Sequence, residues 1–574
     1  MNIPRPEYPK PQFERKNWLN LNGEWDFCID NGLSGEARKF YEDFSVYDKK
    51  ITVPFCLESE LSGVGIKDFT YGVWYKRTVT LTAEQAAKRT VLHIGAADYK
   101  TKAYINGGFA GEHKGGYVSF SFDISAFVKA GENTVVVFCE DDTRCPMIPR
   151  GKQCEDYYSR GCDYTRTTGI WQTVWLEFTE KTYIKNVKFR PDVKTCSVNI
   201  EAFLEGSADF SAEVTFEGKA MGESSVKGAA GVLNFNIALK EEHLWELGAG
   251  RLYDVKFTFG KDEVKSYFGL RSAVMDGYKF RLNGRSVFQR TVLDQGFYPD
   301  GIYTAPTDEA LKHDIELSMD FGFNGARLHQ KVFEERFLYH ADKMGYMVWG
   351  EYPNWGLDHT LPESIYGILP EWLSEVERDF NHPSVIGWCP FNETWDRNGR
   401  RQYDPLLSLV YRATKAADPA RICIDTSGNY HVETDIFDLH DYDQNPETLK
   451  ERLAPFAVSA ELNNHCNDRQ TYKDGQPVFM SEYGGIKWSP VEGNARDVAW
   501  GYGNAPLSEE EYKARYKGLT DVLLDHPKIF GFCYTQLTDV EQEQNGCYRY
   551  DRTAKFDTAF FREVNSRKAA IEEE

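Results

Sequence analysis

Two glutamates, Glu393 and Glu482, each close an apolar run that reads as a buried strand. The first run extends from Val385 through Trp388 and Phe391 to Asn392, and the second from Val478 through Met480 to Ser481. Strands of this character belong to a parallel sheet covered on both faces, where charge is tolerated only at the ends. Two carboxyl groups held at strand ends, one protonated and one ionised, can cleave a glycosidic bond. The pair sits about 5–5.5 Å apart in enzymes that retain anomeric configuration, and about 6.5–9.5 Å apart in those that invert it. A neighbouring negative charge keeps the acid protonated at neutral pH. Asn392, beside Glu393, can bond the sugar hydroxyl next to the anomeric carbon, so Glu393 is assigned as acid/base and Glu482 as nucleophile. Tyr442 is expected to hydrogen-bond the nucleophile and favour its ionised form.

The elements that must position this pair begin after Gly269-Leu270-Arg271. From there strands and helices alternate. Eight candidate strands run over 288–295, 325–329, 346–351, 385–393, 422–427, 436–442, 478–483 and 529–536. Helical stretches lie between them, such as 308–320, 333–344, 370–380, 405–416 and 509–524. The Thr307-Asp308-Glu309 string supplies cap chemistry for the first helix. Eight such units in about 300 residues predict a closed (β/α)₈ barrel, with chemistry at the carboxyl ends of its strands. A doubly wound sheet is the competitor, and the eight-fold count disfavours it. The strand ends carry Asp294, Arg327 with His329, Glu351, Asn392 with Glu393, Ser427, His440 with Tyr442, Glu482, and Tyr534 with Gln536. These form the candidate sugar site. Each has a plainer reading: His440 bonding a loop, Arg327 neutralising nearby carboxylates, Trp355 packing a loop rather than stacking on a sugar. Glu351 has no His or Asp neighbour at ligand spacing, so neither a metal nor another cofactor is expected.

The chain has 574 residues, too many for one core, and predicts about three domains. Residues 1–180 read as an all-β sandwich of β-branched and aromatic runs, among them those around Trp25, Trp74, Leu92 and Val136. Residues 181–272 carry shorter alternating strands that fit an immunoglobulin-like sandwich, and 273–574 form the barrel domain. A net charge of −21 argues against nucleic acid or an anionic membrane as partner. The twelve cysteines are scattered, and Cys145, Cys154 and Cys162 lack the short paired spacing of a zinc site. Met1 to Glu7 shows no basic region followed by an apolar one, and no apolar stretch approaches the roughly 20 residues that span a bilayer. A cytoplasmic location is expected.

The strings Phe391-Asn392-Glu393-Thr394-Trp395 and Met480-Ser481-Glu482-Tyr483-Gly484-Gly485 resemble the acid/base and nucleophile motifs of glycoside hydrolase family 2. That family contains β-galactosidases, β-glucuronidases and β-mannosidases. Trp18 to Trp25, Val53-Pro54-Phe55 and Thr168 to Gln172 resemble its opening sandwich, so the resemblance covers nearly the whole chain. It implies retention through a covalent glycosyl-enzyme. It also implies that Asp163, six positions before Gly169, reaches from the first domain to a hydroxyl of the terminal sugar. Family β-glucuronidases resemble one another in an Asn-x-Lys motif after the eighth strand. Here Asn545-Gly546-Cys547 lacks the lysine, which disfavours a sugar carboxylate. Arg327-Leu328-His329-Gln330 also departs from the Ser-His-Tyr-Pro string common elsewhere in the family. The expectation is therefore an exo-acting retaining glycosidase for a neutral terminal sugar, β-galactosyl first. Its substrate would be an oligosaccharide or small glycoside, and similar enzymes form homo-oligomers. The alternatives are β-glucosidase, β-mannosidase, α-L-arabinosidase or β-glucuronidase specificity, transglycosylation, or a carbohydrate-binding protein that has lost turnover.

Overall fold

The computed structural model describes residues 3–464, 469–470, 472–489 and 499–572. Its amino-terminal part is a sandwich of two antiparallel sheets. One has six strands, with Gly72–Leu81 and Gly131–Glu140 at its centre, and the other has four, with Val174–Thr179 and Arg89–Ile94 at its centre. Alternate residues such as Val73, Tyr75, Val135, Val137, Leu92 and Leu176 point inward and close one core between the sheets. The next part is built on a long hairpin, Ser197–Phe216 with Lys219–Ala238. The first of these strands pairs with Tyr183–Asp192 over its early residues and with Tyr253–Phe259 over its late ones. Irregular register around 203–210 bends the ribbon between those partners. Phe189, Ile200, Phe210 and Phe257 fill the small core that results.

Eight parallel strands then form the barrel: 1 (Gln289–Asp294), 2 (Gly325–Leu328), 3 (Met347–Glu351), 4 (Val385–Cys389), 5 (Ile422–Cys423), 6 (Phe437–Asp441), 7 (Val478–Gly484) and 8 (Ile529–Thr535). Their hydrogen-bonded order is 5-4-3-2-1-8-7-6. Every residue of strands 3, 4, 7 and 8 is buried, as helices outside and packed side chains inside require. The helix after strand 1, Asp308–Asp320, is capped by the Thr307 side chain on the Ala310 N–H, with Asp308 and Glu309 in its first turn. The helix after strand 3 begins at Ile365, five residues before Pro370, because Pro370 lies in its second turn rather than opening it. Strand 5 is only two residues long. From Ile424 to Ile436 the chain forms a helix-free loop instead of a crossover helix. The eleven described cysteines are all free thiols, and Cys466 lies outside the described residues. No described helix is long and apolar enough to cross a membrane.

Candidate active site

Strand 4 ends at Cys389, where Pro390 removes an N–H from the ladder. The chain beyond it stays aligned because Ser427 N–H donates to Phe391 O and Glu393 N–H donates to Ser427 O at 2.9 Å. Glu393 itself sits in the left-handed region at φ 47°, a conformation that costs a non-glycine residue energy and persists only where its surroundings impose it. Glu482 lies within strand 7, where the register shifts by one residue at Ser481, so that Ser481 and Glu482 both face the interior.

Arg327, at the end of strand 2 and 1% exposed, ties the rim together. Its Nε donates to Glu351 Oε2 at 2.6 Å, its Nη1 to Glu482 Oε1 at 3.0 Å, and its Nη2 to Asn392 Oδ1 at 2.5 Å. The planar fork of a guanidinium allows this three-way hold. Asn392 is left with a buried Nδ2 that has no partner among the described residues. Glu351 Oε1 accepts the Gln330 N–H, and His329 Nδ1 lies 2.9 Å from the same oxygen. The neighbours that sequence spacing did not show for Glu351 are therefore an ion pair and an imidazole from the adjacent strand.

Between the two glutamates stands His440. Its Nδ1 lies 2.8 Å from Glu393 Oε1 and 3.3 Å from Glu482 Oε2. One atom from each of the three lies within 4.8 Å of the others, so the carboxyl groups meet at the short separation of about 5 Å used in retention. These are also the described acidic and imidazole donors that converge closely enough to hold a cation. Burial disfavours charge on His440, yet Glu482 and Glu393 outweigh it and raise its pKa. Burial also works to raise Glu393, but the hydrogen bond and charge of His440 bring it down to about 2. Glu482 is lowered too: burial opposes, while His440 and Arg327 prevail. These directions favour a charged imidazole between two carboxylates, the reverse of the protonated Glu393 expected from the neighbouring negative charge alone.

The far side of His440 is fixed as well. Its Nε2 meets Ser427 Oγ at 3.0 Å, and Ser427 Oγ donates to Asp438 Oδ2 at 2.5 Å. Asp438 pairs with His431 at 3.0 Å, and His431 with Asp425 at 2.8 Å. Tyr442 OH donates to Glu482 Oε2, lies 3.1 Å from Thr535 Oγ1, and its ring stacks on Tyr502. Gly428 allows this packing, since a Cβ there would fall 2.2 Å from the His440 ring.

The loop from Asp141 to Thr168 leaves the sandwich and seats on the barrel mouth. Arg150 N–H donates to Trp355 O at 2.7 Å, Gly151 N–H to Pro353 O at 3.2 Å, and Gln542 Nε2 to Asp163 O at 2.9 Å. Asp163 lies 3.7 Å from Arg150, with a buried Oδ1 that accepts no hydrogen bond from a described residue. Tyr164 OH donates to the buried Glu543, which also accepts Asn545 Nδ2 at 3.0 Å. Gln536 completes this corner, donating to Asn545 at 2.9 Å and accepting from Gln295 at 2.7 Å. Trp355 hangs over the rim with its Nε1 on Asn392 O at 3.2 Å, and one of its faces carries Lys152 Nζ at 3.9 Å from the ring centre.

Two expected site residues point elsewhere. Tyr534 pairs with Tyr512 OH at 3.0 Å on the helical side of strand 8, because alternation gives the inward position to Thr535. Asp294 takes the Gly296 N–H and has Asp314, Arg552 and Lys331 as its charged neighbours, away from the glutamate pair. The structure also brings Lys152, Glu543 and Thr535 to the mouth. The first lies in a loop with no periodicity to mark it, and Glu543 lies in the loop beyond strand 8, where only its contacts with Tyr164 and Asn545 draw it into the site.

Family models match consecutive parts of the chain: the sugar binding domain of glycosyl hydrolases family 2 over 19–179, the central family 2 domain over 182–271, and the family 2 TIM barrel domain over 300–494. The chain belongs to glycoside hydrolase family 2. This family 2 protein is a retaining glycoside hydrolase. It is 26% identical to a β-glucuronidase of Felis catus over 83% of its own length and 79% of the relative's. It is 27% identical to a β-galactosidase of Thermoanaerobacterium thermosulfurigenes over 78% of its own length and 64% of the relative's. A β-glucuronidase structure from Lactobacillus rhamnosus has a TM-score of 0.80 at 19% identity, covering 99% of both chains, and so shares the fold.

Proposed function

We propose that this hydrolase is an exo-acting enzyme that releases a terminal β-linked sugar, with Glu393 as acid/base and Glu482 as nucleophile. The observation that carries the assignment is the meeting of both carboxylates on His440 at 2.8 and 3.3 Å. Glu482, held ionised by His440 and Arg327 and hydrogen-bonded by Tyr442, attacks the anomeric carbon. The proton shared by His440 and Glu393 passes through Glu393 to the departing oxygen. The bond from sugar to aglycone breaks as the bond to Glu482 forms. Glu393 then takes a proton from water, which attacks the same carbon and frees Glu482. The loop carrying Asp163 closes one side of the mouth, and that favours removal of end residues over cleavage inside a chain.

The sugar is proposed to be a β-glucuronide rather than the β-galactoside expected from the missing lysine. Several of the relatives are β-glucuronidases, although β-galactosidases stand among them. Glu393→Ala with an activated nitrophenyl substrate tests the assignment. Turnover should stall at the glycosyl-enzyme, and azide should restore it, giving a glycosyl azide of retained configuration. Glu482→Gln should lose about 10³-fold or more in kcat with an unchanged melting temperature. Activity close to wild type in Glu482→Gln removes the assignment.

A further inference from the structure

Lys152 is a buried residue, 5% exposed, and its Nζ makes no hydrogen bond or ion pair with any described residue. It is delivered to the barrel mouth by the sandwich loop, pinned on both sides: Gly151 N–H reaches Pro353 O, and Tyr164 N–H donates to Lys152 O at 2.7 Å. The ammonium rests on the Trp355 ring at 3.9 Å, a contact that favours the charged form without using its three donors. Burial opposes the charge, but Cys162, Glu543, Asp163 and Glu482 lie near enough to hold the group protonated. None of those carboxylates comes within the 4.0 Å of an ion pair. Lys152 is therefore a cation held in the field of the site with its donors unspent.

A buried ammonium of this kind needs an acceptor, and the strongest one a terminal sugar can carry is a carboxylate. Trp355, on which Lys152 rests, donates its Nε1 to Asn392 O beside Glu393, and Lys152 lies within electrostatic reach of Glu393, Glu482 and His329. On the barrel side, Asn545 is already committed to Gln536 and Glu543, and Cys547 is buried. Asn545 to Cys547 thus offers no cation, and further along the loop Lys555 is paired with Asp539, Arg552 with Asp314, and Arg549 bonds Ala554 O.

We propose that Lys152, a residue of the amino-terminal sandwich, anchors the carboxylate of a β-uronide in the sugar site, so that the sandwich rather than the barrel sets the charge of the accepted sugar. This rests on the glycosidase reading above. The test compares the nitrophenyl β-D-glucuronide and β-D-glucoside, which differ only in a carboxylate against a hydroxymethyl group. It uses the full-length wild type, Lys152→Met and Lys152→Arg, each checked by its melting curve.

The wild type should favour the glucuronide. Lys152→Met should collapse that preference by about a hundredfold, mainly through KM, and Lys152→Arg should recover part of it. Equal losses on both substrates, or an unchanged ratio, overturn the proposal, since a counter-ion for Glu543 and Asp163 would act on both sugars alike. A wild type that prefers the glucoside also overturns it and leaves Glu393 and Glu482 in place. A wild type that cleaves neither overturns it too, and only that outcome reaches the catalytic assignment. Binding of D-glucuronate to wild type and to Lys152→Met, by calorimetry, separates lost recognition from a slowed reaction. Equal affinity for the two proteins counts against the anchor.

Discussion

The barrel rim and the sandwich loop both supply side chains to one pocket, and they hold them in different ways. On the rim, Arg327 and Glu351 stand on the neighbouring strands 2 and 3, and His440 and Glu482 on the neighbouring strands 6 and 7, of one parallel sheet. The strand pairing, with its one-residue shift at Ser481, and a web of charge-assisted bonds fix their directions. On the loop, Arg150, Lys152 and Asp163 have no ladder beneath them and are set by main-chain bonds to barrel loops, such as Arg150 N–H to Trp355 O. The rim is thus suited to chemistry, where small displacements are costly. The loop is suited to selecting a sugar, because its residues can change without disturbing the ladder.

Apart from the two glutamates themselves, the rim should fail most sharply at His440. His440→Gln keeps a side chain of similar reach but cannot hold the shared proton, so kcat should fall by roughly ten- to a hundredfold. The pH profile carries the diagnosis. His440 is raised above its ordinary value, so the wild-type trio keeps its proton to higher pH than a free imidazole would. Without the imidazole, the proton must be kept by Glu393 alone, whose pKa is lifted by the Glu482 charge yet starts from the carboxyl range. The basic limb of kcat/KM should therefore move to lower pH. A limb in the wild-type position would mean that His440 only packs. The limbs report the trio as a unit, not single residues.

The loop should fail through binding. Gly151 has φ 57°, and a Cβ there would fall 2.4 Å from the main-chain oxygen of Gln330, which cannot move aside without disturbing the Glu351 contact. Gly151→Ala should lift the loop and lower kcat/KM by about ten- to a hundredfold, mostly by raising KM, with little change in the pH profile. If kcat falls while KM stands, the loop belongs with the chemistry and the contrast between the two regions fails.

This contrast also explains what could be read from the chain alone. Strand identity shows in composition, since runs such as Val385 to Cys389 are apolar throughout, and the polar residue that ends such a run marks the mouth. Glu393, Glu482, Arg327, Glu351 and Asn392 were legible in that way. The direction of a side chain at a strand end depends on where the ladder stops. Strand 8 ends at Thr535, and a shift of one residue exchanges Tyr534 for Thr535 at the inward face. Strand 5, expected over six residues, keeps two, because the main-chain N–H groups of Asp425 and Thr426 are drawn to the Thr434 and Asp425 side chains. Lys152 left no such trace. Its placement depends on a loop crossing between domains, and no local pattern encodes that.

The smallest expected effects set the outer edge of the rim. Thr535→Val removes the hydroxyl 3.1 Å from Tyr442 OH while keeping the shape of the side chain. One net hydrogen bond of about 1 kcal/mol corresponds to roughly a fivefold loss in kcat, if Tyr442 must be aimed to hold Glu482 ionised. Tyr534→Phe removes a hydroxyl of the adjacent residue that bonds Tyr512 on the helix side, so it should cost about 1 kcal/mol of stability and leave kcat/KM within about twofold. Steady-state kinetics together with melting curves on the two variants decide the matter. Losses of activity for Tyr534→Phe equal to those for Thr535→Val would show that the wall behind strand 8 takes part in aiming Tyr442, and the inward face alone would no longer define the site.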